Sequence, residues 1–158
     1  MKRSVLLPVA AFGLSFVTAL PMIADAYIGR AGQACRPIDD TPDVTQAATG
    51  WRNLGSIQRV IICPIDSNGA SIQSLWMTVL DNNSSQEVYA AATWRSWSGY
   101  SGGSSFLSPV TSAGYTGTGS WSVNQVHVDV LNNASYSGYR MLYVYLQPYT
   151  AFYGIEIF

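Results

Sequence analysis

"RMLYVYLQPYTAFYGIEI", residues Arg140 to Ile157, is the stretch that decides the fold class. Leu142, Val144 and Leu146 alternate with Met141, Tyr143 and Tyr145. That period of two belongs to a strand with one aliphatic and one aromatic face. Pro148-Tyr149 interrupts the run with turn chemistry, and a second apolar run follows over Ala151 to Ile157. The aliphatic row is assigned to the core, which leaves Tyr143 and Tyr145 on the opposite face.

The same pattern reaches back to Ile57 as short runs rich in Val, Ile, Tyr and Trp, cut by Gly, Asn, Ser and Pro clusters. Strands are expected at about Ser56 to Cys63, Ile72 to Leu80, Glu87 to Trp97, Phe106 to Thr111, Trp121 to Leu131, Arg140 to Gln147 and Ala151 to Ile157. The separators Asp66-Ser67-Asn68-Gly69, Asp81 to Ser85, Gly114 to Ser120 and Asn132 to Gly138 are built from residues that tolerate positive φ or bond their own backbone. About seven short strands at this spacing predict an all-β domain, a single antiparallel β-sandwich of jelly-roll or immunoglobulin-like type. In the fifth strand Val126, Val128 and Val130 form one face and His127, Asp129 and Leu131 the other. Trp121 and Val123 have the opposite parity, so a bulge near Asn124-Gln125 is required.

The N-terminal segment differs in kind. Lys2 and Arg3, an apolar stretch from Val5 to Ala19 and the small-x-small site Ala24-Asp25-Ala26 predict a signal peptide over residues 1–26, hence a secreted or periplasmic protein. Pro8 and Gly13 break the apolar stretch, which falls short of the ~20 residues of a membrane span. No later segment is long and apolar enough to cross a bilayer. Residues 27–55 are polar, with Asp39, Asp40 and Asp43 beside Pro37 and Pro42, and read as an irregular arm with a helical turn at Ala47-Ala48. Residues 56–158 then form the sandwich domain.

Of the 158 residues, 132 remain after the leader, enough for one domain. Their cations are six arginines against eight acids, with no clustered basic face, which excludes a nucleic-acid partner. Cys35 and Cys63, an even pair in an exported chain, are expected to form a disulfide worth about 3 to 4 kcal/mol on the chain-entropy model. With one distant His127 they fall short of the four ligands of a structural zinc site. Asp66-x-Asn68-Gly69 and Asp39-Asp40-x-x-Asp43 lack EF-hand spacing, so no metal or cofactor is expected.

Two features bear on chemistry. Gly99-Tyr100-Ser101-Gly102-Gly103 matches the G-x-S-x-G nucleophile elbow, but the elbow needs a helix directly after it, and Gly102-Gly103-Ser104-Ser105 is a poor helix start. His127 with Asp129 could orient a base, yet the order serine, histidine, acid is not that of the α/β-hydrolases. The chain is therefore read as non-catalytic. The second feature is the aromatic content, 13% against 11% charged residues. Flat aromatic rings suit sugar stacking and low-entropy partner contacts. Trp94, Trp97, Tyr100, Tyr143 and Tyr145 are the candidate ligand-binding residues, for a glycan or an envelope protein. Trp94 and Trp97 differ by an odd number of positions, so a regular strand points them to opposite faces.

The leader followed by "GQACRP" (32–37), "VIICPI" (60–65), "LWMTVLD" (75–81) and the closing "YRMLYVYLQP…YGIEIF" resembles functionally uncharacterised small secreted proteins of Gram-negative bacteria, myxobacteria among them. The resemblance implies a secreted, disulfide-stapled β-sandwich and no particular activity. Such proteins commonly carry a second cysteine pair, where this chain has Val88-Tyr89-Ala90-Ala91 and Tyr143-Val144-Tyr145. A more distant likeness is to chaperone-usher pilus subunits, exported sandwiches with one disulfide. It implies a structural or adhesive subunit that self-associates through an apolar last strand, Phe152 to Phe158.

Overall fold

The period-two stretch forms two adjacent strands in the chain that belong to different sheets. The computed structural model describes residues 28–66, 70–99, 101–133 and 138–158. The expected leader, the tip of the Asp66 to Gly69 turn and Tyr100 lie outside them. The strands in chain order are β1 (Ile28–Ala31), β2 (Arg36–Pro37), β3 (Val44–Gln46), β4 (Trp51–Asn53), β5 (Arg59–Ile65) and β6 (Leu75–Asp81). They continue with β7 (Tyr89–Ser96), β8 (Gly102–Ser104), β9 (Ser108–Pro109), β10 (Gly117–Ser122), β11 (Gly138–Leu146) and β12 (Ala151–Ile157). One helix, α1 (Gln125–Asn132), lies between β10 and β11.

The first sheet has the order β10-β6-β12-β4-β3, with β1 also against β12, and the second β2-β5-β11-β7-β8, with β9 also against β7. All the pairings are antiparallel. Four of them are nested about one point near residue 100: Thr93 opposite Ser104, Val79 opposite Gly119, Ile61 opposite Val144 and Trp51 opposite Phe152. The chain is thus one long hairpin rolled into two sheets, the jelly-roll arrangement rather than the immunoglobulin one.

The core lies between the sheets. Ile61, Cys63 and Ile65 of β5, Leu142, Val144 and Leu146 of β11, and Ala90 and Ala92 of β7 meet Leu75, Met77 and Val79 of β6 and Phe152, Ile155 and Ile157 of β12, all buried. The aliphatic row of β11 is the core face, as its alternation requires. Cys35 and Cys63 are disulfide-bonded, which fastens the segment before β2 to the inner face of β5.

Four expectations are corrected. Residues 27–55 are not an irregular arm, because β1, β3 and β4 extend the first sheet and β2 the second. These strands are too short and polar for a period to show, and backbone pairing builds them. Ala47-Ala48 is not a helical turn: the Ala47 and Gly50 backbones bond each other and close the β3–β4 hairpin. A Cβ on Gly50 would collide with the Phe152 carbonyl, so this close approach to β12 requires glycine. Phe106 to Thr111 contributes only β9, with Phe106 exposed.

The fourth correction is the largest. Trp121 to Leu131 is the end of β10 followed by α1, with no bulge between them. Asn124 is the N-cap, its side-chain oxygen accepting from Val126 N–H at 2.8 Å. His127, Val128 and Leu131 form the buried face at helical spacing, and Val126 is exposed. At its far end Asn132 pairs its carboxamide with the Ile72 backbone, accepting at 2.8 Å and donating at 2.7 Å. These side-chain anchors and the packing against β7 outweigh the strand preference of three valines.

Candidate functional site

The tyrosine face of β11 is the outward face of the second sheet. Register fixes its neighbours: Tyr145 lies opposite Tyr89 and Val60, Tyr143 opposite Ala91 and Ile62, Met141 opposite Thr93 and Pro64, and Tyr139 opposite Arg95. Alternate residues on a strand are about 6.8 Å apart, so Tyr139, Met141, Tyr143 and Tyr145 make a row about 20 Å long. Tyr143, Tyr145 and Tyr89 are half-buried and Tyr139 is exposed. Beyond Tyr139 the row is continued by Trp97, which is 71% exposed and has its ring centre 5.4 Å from that of Tyr139 at a 60° tilt.

A depression borders each end of the row. A groove of about 450 Å³ runs beside Tyr139 and Tyr143, with Arg95, Ser104, Gly102 and Gly103 on its other side. The second depression, about 630 Å³, opens at the Tyr89 end and includes Glu87, Gln147 and Leu107. The Tyr89 hydroxyl donates to the Glu87 carboxylate at 3.1 Å. That hydrogen bond, with burial and the negative charge of Glu87, holds the phenol above its ordinary pKa and keeps it protonated.

Of the residues singled out in the sequence, Tyr143 and Tyr145 share this face and Trp97 stands at its end. Trp94 does not belong to it. It shares the inward side of β7 with Ala90 and Ala92 and is half-buried over Gly103, where an added Cβ would come 2.6 Å from its indole nitrogen. Tyr100 lies outside the described residues. The sequence pattern does not mark Tyr139 or Tyr89. Tyr139 immediately precedes the expected start of its strand, and Tyr89 joins the row only through its register with Tyr145, which no local pattern reveals.

The G-x-S-x-G segment is a strand-to-strand turn. Ser96 N–H donates to Ser101 O at 2.9 Å, Ser101 N–H donates to Ser96 Oγ at 3.2 Å, and β8 rather than a helix follows. The turn closes the innermost pair of the long hairpin. His127 and Asp129 are not paired: His127 is 1% exposed on α1, and Asp129 accepts from Gln125 instead. The imidazole lies between two hydroxyls, Ser105 Oγ at 2.6 Å from Nδ1 and Ser108 Oγ at 2.7 Å from Nε2. Ser105 Oγ also accepts from Ala92 N–H at 2.6 Å. Burial pushes the His127 pKa below its ordinary value. The cluster joins α1 to β7 and β9. Among the described residues no three His, Cys, Asp or Glu side chains gather as a metal site would need, and no helix is long and apolar enough to cross a membrane.

Compared with family models, with curated proteins and with solved structures, the chain matches none.

Proposed function

We propose that this is an exported, non-catalytic binding protein whose ligand is a glycan chain lying along the outward face of the second sheet. The observation that carries the reading is the row Tyr139, Tyr143 and Tyr145, with Tyr89 beside it and Trp97 at its end. Aromatic rings stack on the apolar faces of sugars, and half-buried tyrosines lose little side-chain freedom on binding. The low charge suits a neutral ligand. A disulfide is at home in an oxidising compartment, which supports export.

The test is retention of the purified domain on a panel of insoluble and cell-wall polysaccharides. Tyr143→Ser and Tyr145→Ser should each abolish retention, and Trp97→Ala should weaken it. Tyr115→Ala, an aromatic change at β10 of the other sheet, should leave it intact. Equal retention of all four variants, or no retention of the unaltered protein on any matrix, would sink the reading.

One observation favours a second reading, assembly with other copies or envelope proteins. β10 is a six-residue outer strand with no charge and no proline, the kind of edge that accepts another strand. It replaces the last strand in that role, since β12 has partners on both sides. Ser120→Lys should then lower the association state seen by sedimentation. A chain already monomeric at high concentration would remove the self-association form of this reading.

A further inference from the structure

The depression at the Tyr89 end of the row is walled by four connections: β4–β5, β6–β7, β8–β9 and the β11–β12 turn. Its most telling residue is Gln147. It is 3% exposed, its carboxamide makes no side-chain hydrogen bond among the described residues, and the little surface it keeps leaves that carboxamide in contact with solvent. Its backbone carbonyl is taken up inside the turn, accepting from the Asn53 side chain at 3.0 Å and from the Thr150 hydroxyl at 2.8 Å. What Gln147 offers the cavity is therefore its carboxamide. Unpaired within the protein and open to solvent, it can exchange water for the hydroxyl of a ligand.

The remaining groups define what fits. A carboxamide both donates and accepts, as a sugar hydroxyl does. Glu87 is the one charged side chain on the wall and accepts only, so it selects for hydroxyl donors and against anions. Its bond to Tyr89 turns the phenol towards the carboxylate, while the ring stands beside Tyr145 at the end of the row. Leu107, half-exposed at the wall, supplies an apolar contact. An aromatic ring, a free carboxamide and a carboxylate around about 630 Å³ make a place for one or two neutral pyranose rings.

We infer that this cavity is a subsite for the terminal sugar of a neutral glycan, its hydroxyls bonded by Gln147 and Glu87 and the rest of the chain running along the tyrosine row. The inference rests on the glycan reading above and deepens it. It makes the protein a binder of chain ends rather than of chain interiors alone.

Isothermal titration with cellohexaose, xylohexaose, chitohexaose and maltohexaose tests it on the intact mature chain. At least one hexaose should bind, and Gln147→Leu should weaken that binding about tenfold or more with little change in melting temperature, since the carboxamide it removes holds nothing in the fold. Leu107→Trp, at an exposed position away from the core, should obstruct the cavity and give a similar loss even if Gln147→Leu folds poorly. Binding that survives both changes but is lost in Tyr143→Ser would overturn the subsite and leave the tyrosine row standing. Retention on an insoluble polysaccharide with no hexaose bound would do the same. Failure of every hexaose and every polysaccharide would overturn both.

Discussion

Asn53 has no exposed surface, and its carboxamide nitrogen contacts three carbonyls, those of Ile57, Leu146 and Gln147, at 2.8 to 3.0 Å. Its oxygen accepts from Gly55 N–H at 3.0 Å. One side chain thereby joins β4, the loop after it and the end of β11. Asn53→Ala removes a buried donor from those carbonyls and should cost about 2 to 4 kcal/mol in urea unfolding, where an exposed asparagine such as Asn82 should cost under about 0.5. His127 is the residue whose effect depends on pH. The folded protein keeps the imidazole neutral at pH values where the unfolded chain, with an ordinary pKa of about 6.5, already binds a proton. The unfolded state then holds more protons, so stability is full above that value and falls as pH drops through the window between the unfolded and the lower folded pKa. His127→Gln keeps hydrogen-bonding groups and removes the titration. Its stability deficit relative to the unaltered protein should shrink between about pH 7.5 and about pH 5. A constant deficit would show that His127 contributes no pH dependence.

α1 is the element that discriminates most sharply between local pattern and tertiary context. Val126 is 48% exposed and Val128 is 1% exposed. Val126→Asp should change stability by under about 0.5 kcal/mol, and Val128→Asp should cost more than about 3 kcal/mol by burying a charge without a partner. In a strand the two valines would share a face and respond alike, so the pair tests the helix directly. The same comparison explains what could be read in advance. β11 is legible because its alternation is long and its inner row is large aliphatic residues, and β12 because it is an apolar run set off by the Pro148-Tyr149 turn. Over residues 125–132 the valines alternate too, but the asparagine cap and the contact with Ile72 act from outside that pattern. β1 to β4 carry no pattern because each is two to four residues long and pairs through its backbone. At the candidate site, parity alone put Tyr143 with Tyr145 and separated Trp94 from Trp97. The partnership of Tyr145 with Tyr89, and the free carboxamide of Gln147, depend on registers and turns that only the assembled sheets define.

Across the whole molecule the disulfide and the nested pairing act on the same problem, that the strands which pair are far apart in the chain. Cys35 and Cys63, 28 residues apart, close the one covalent loop, and it tethers the segment carrying β1 and β2 to β5. Reduction, or Cys35→Ala with Cys63→Ala, should lower the unfolding free energy by about 3 to 4 kcal/mol, read as a shift in the guanidinium midpoint. Because the hairpin is nested, its two ends meet: Ile28 lies opposite Ile157. β12, formed from residues 151–157, stands in the middle of the first sheet, with β6 on one side and β4 and β1 on the other. It is also the last of the described strands in chain order. Without it, β6 has only β10 beside it and the inner face of the second sheet has little to close against. The first sheet is therefore complete only when residues 151–157 take their place between β6 and β4, strands from much earlier in the chain, so the whole sandwich closes on one long-range event.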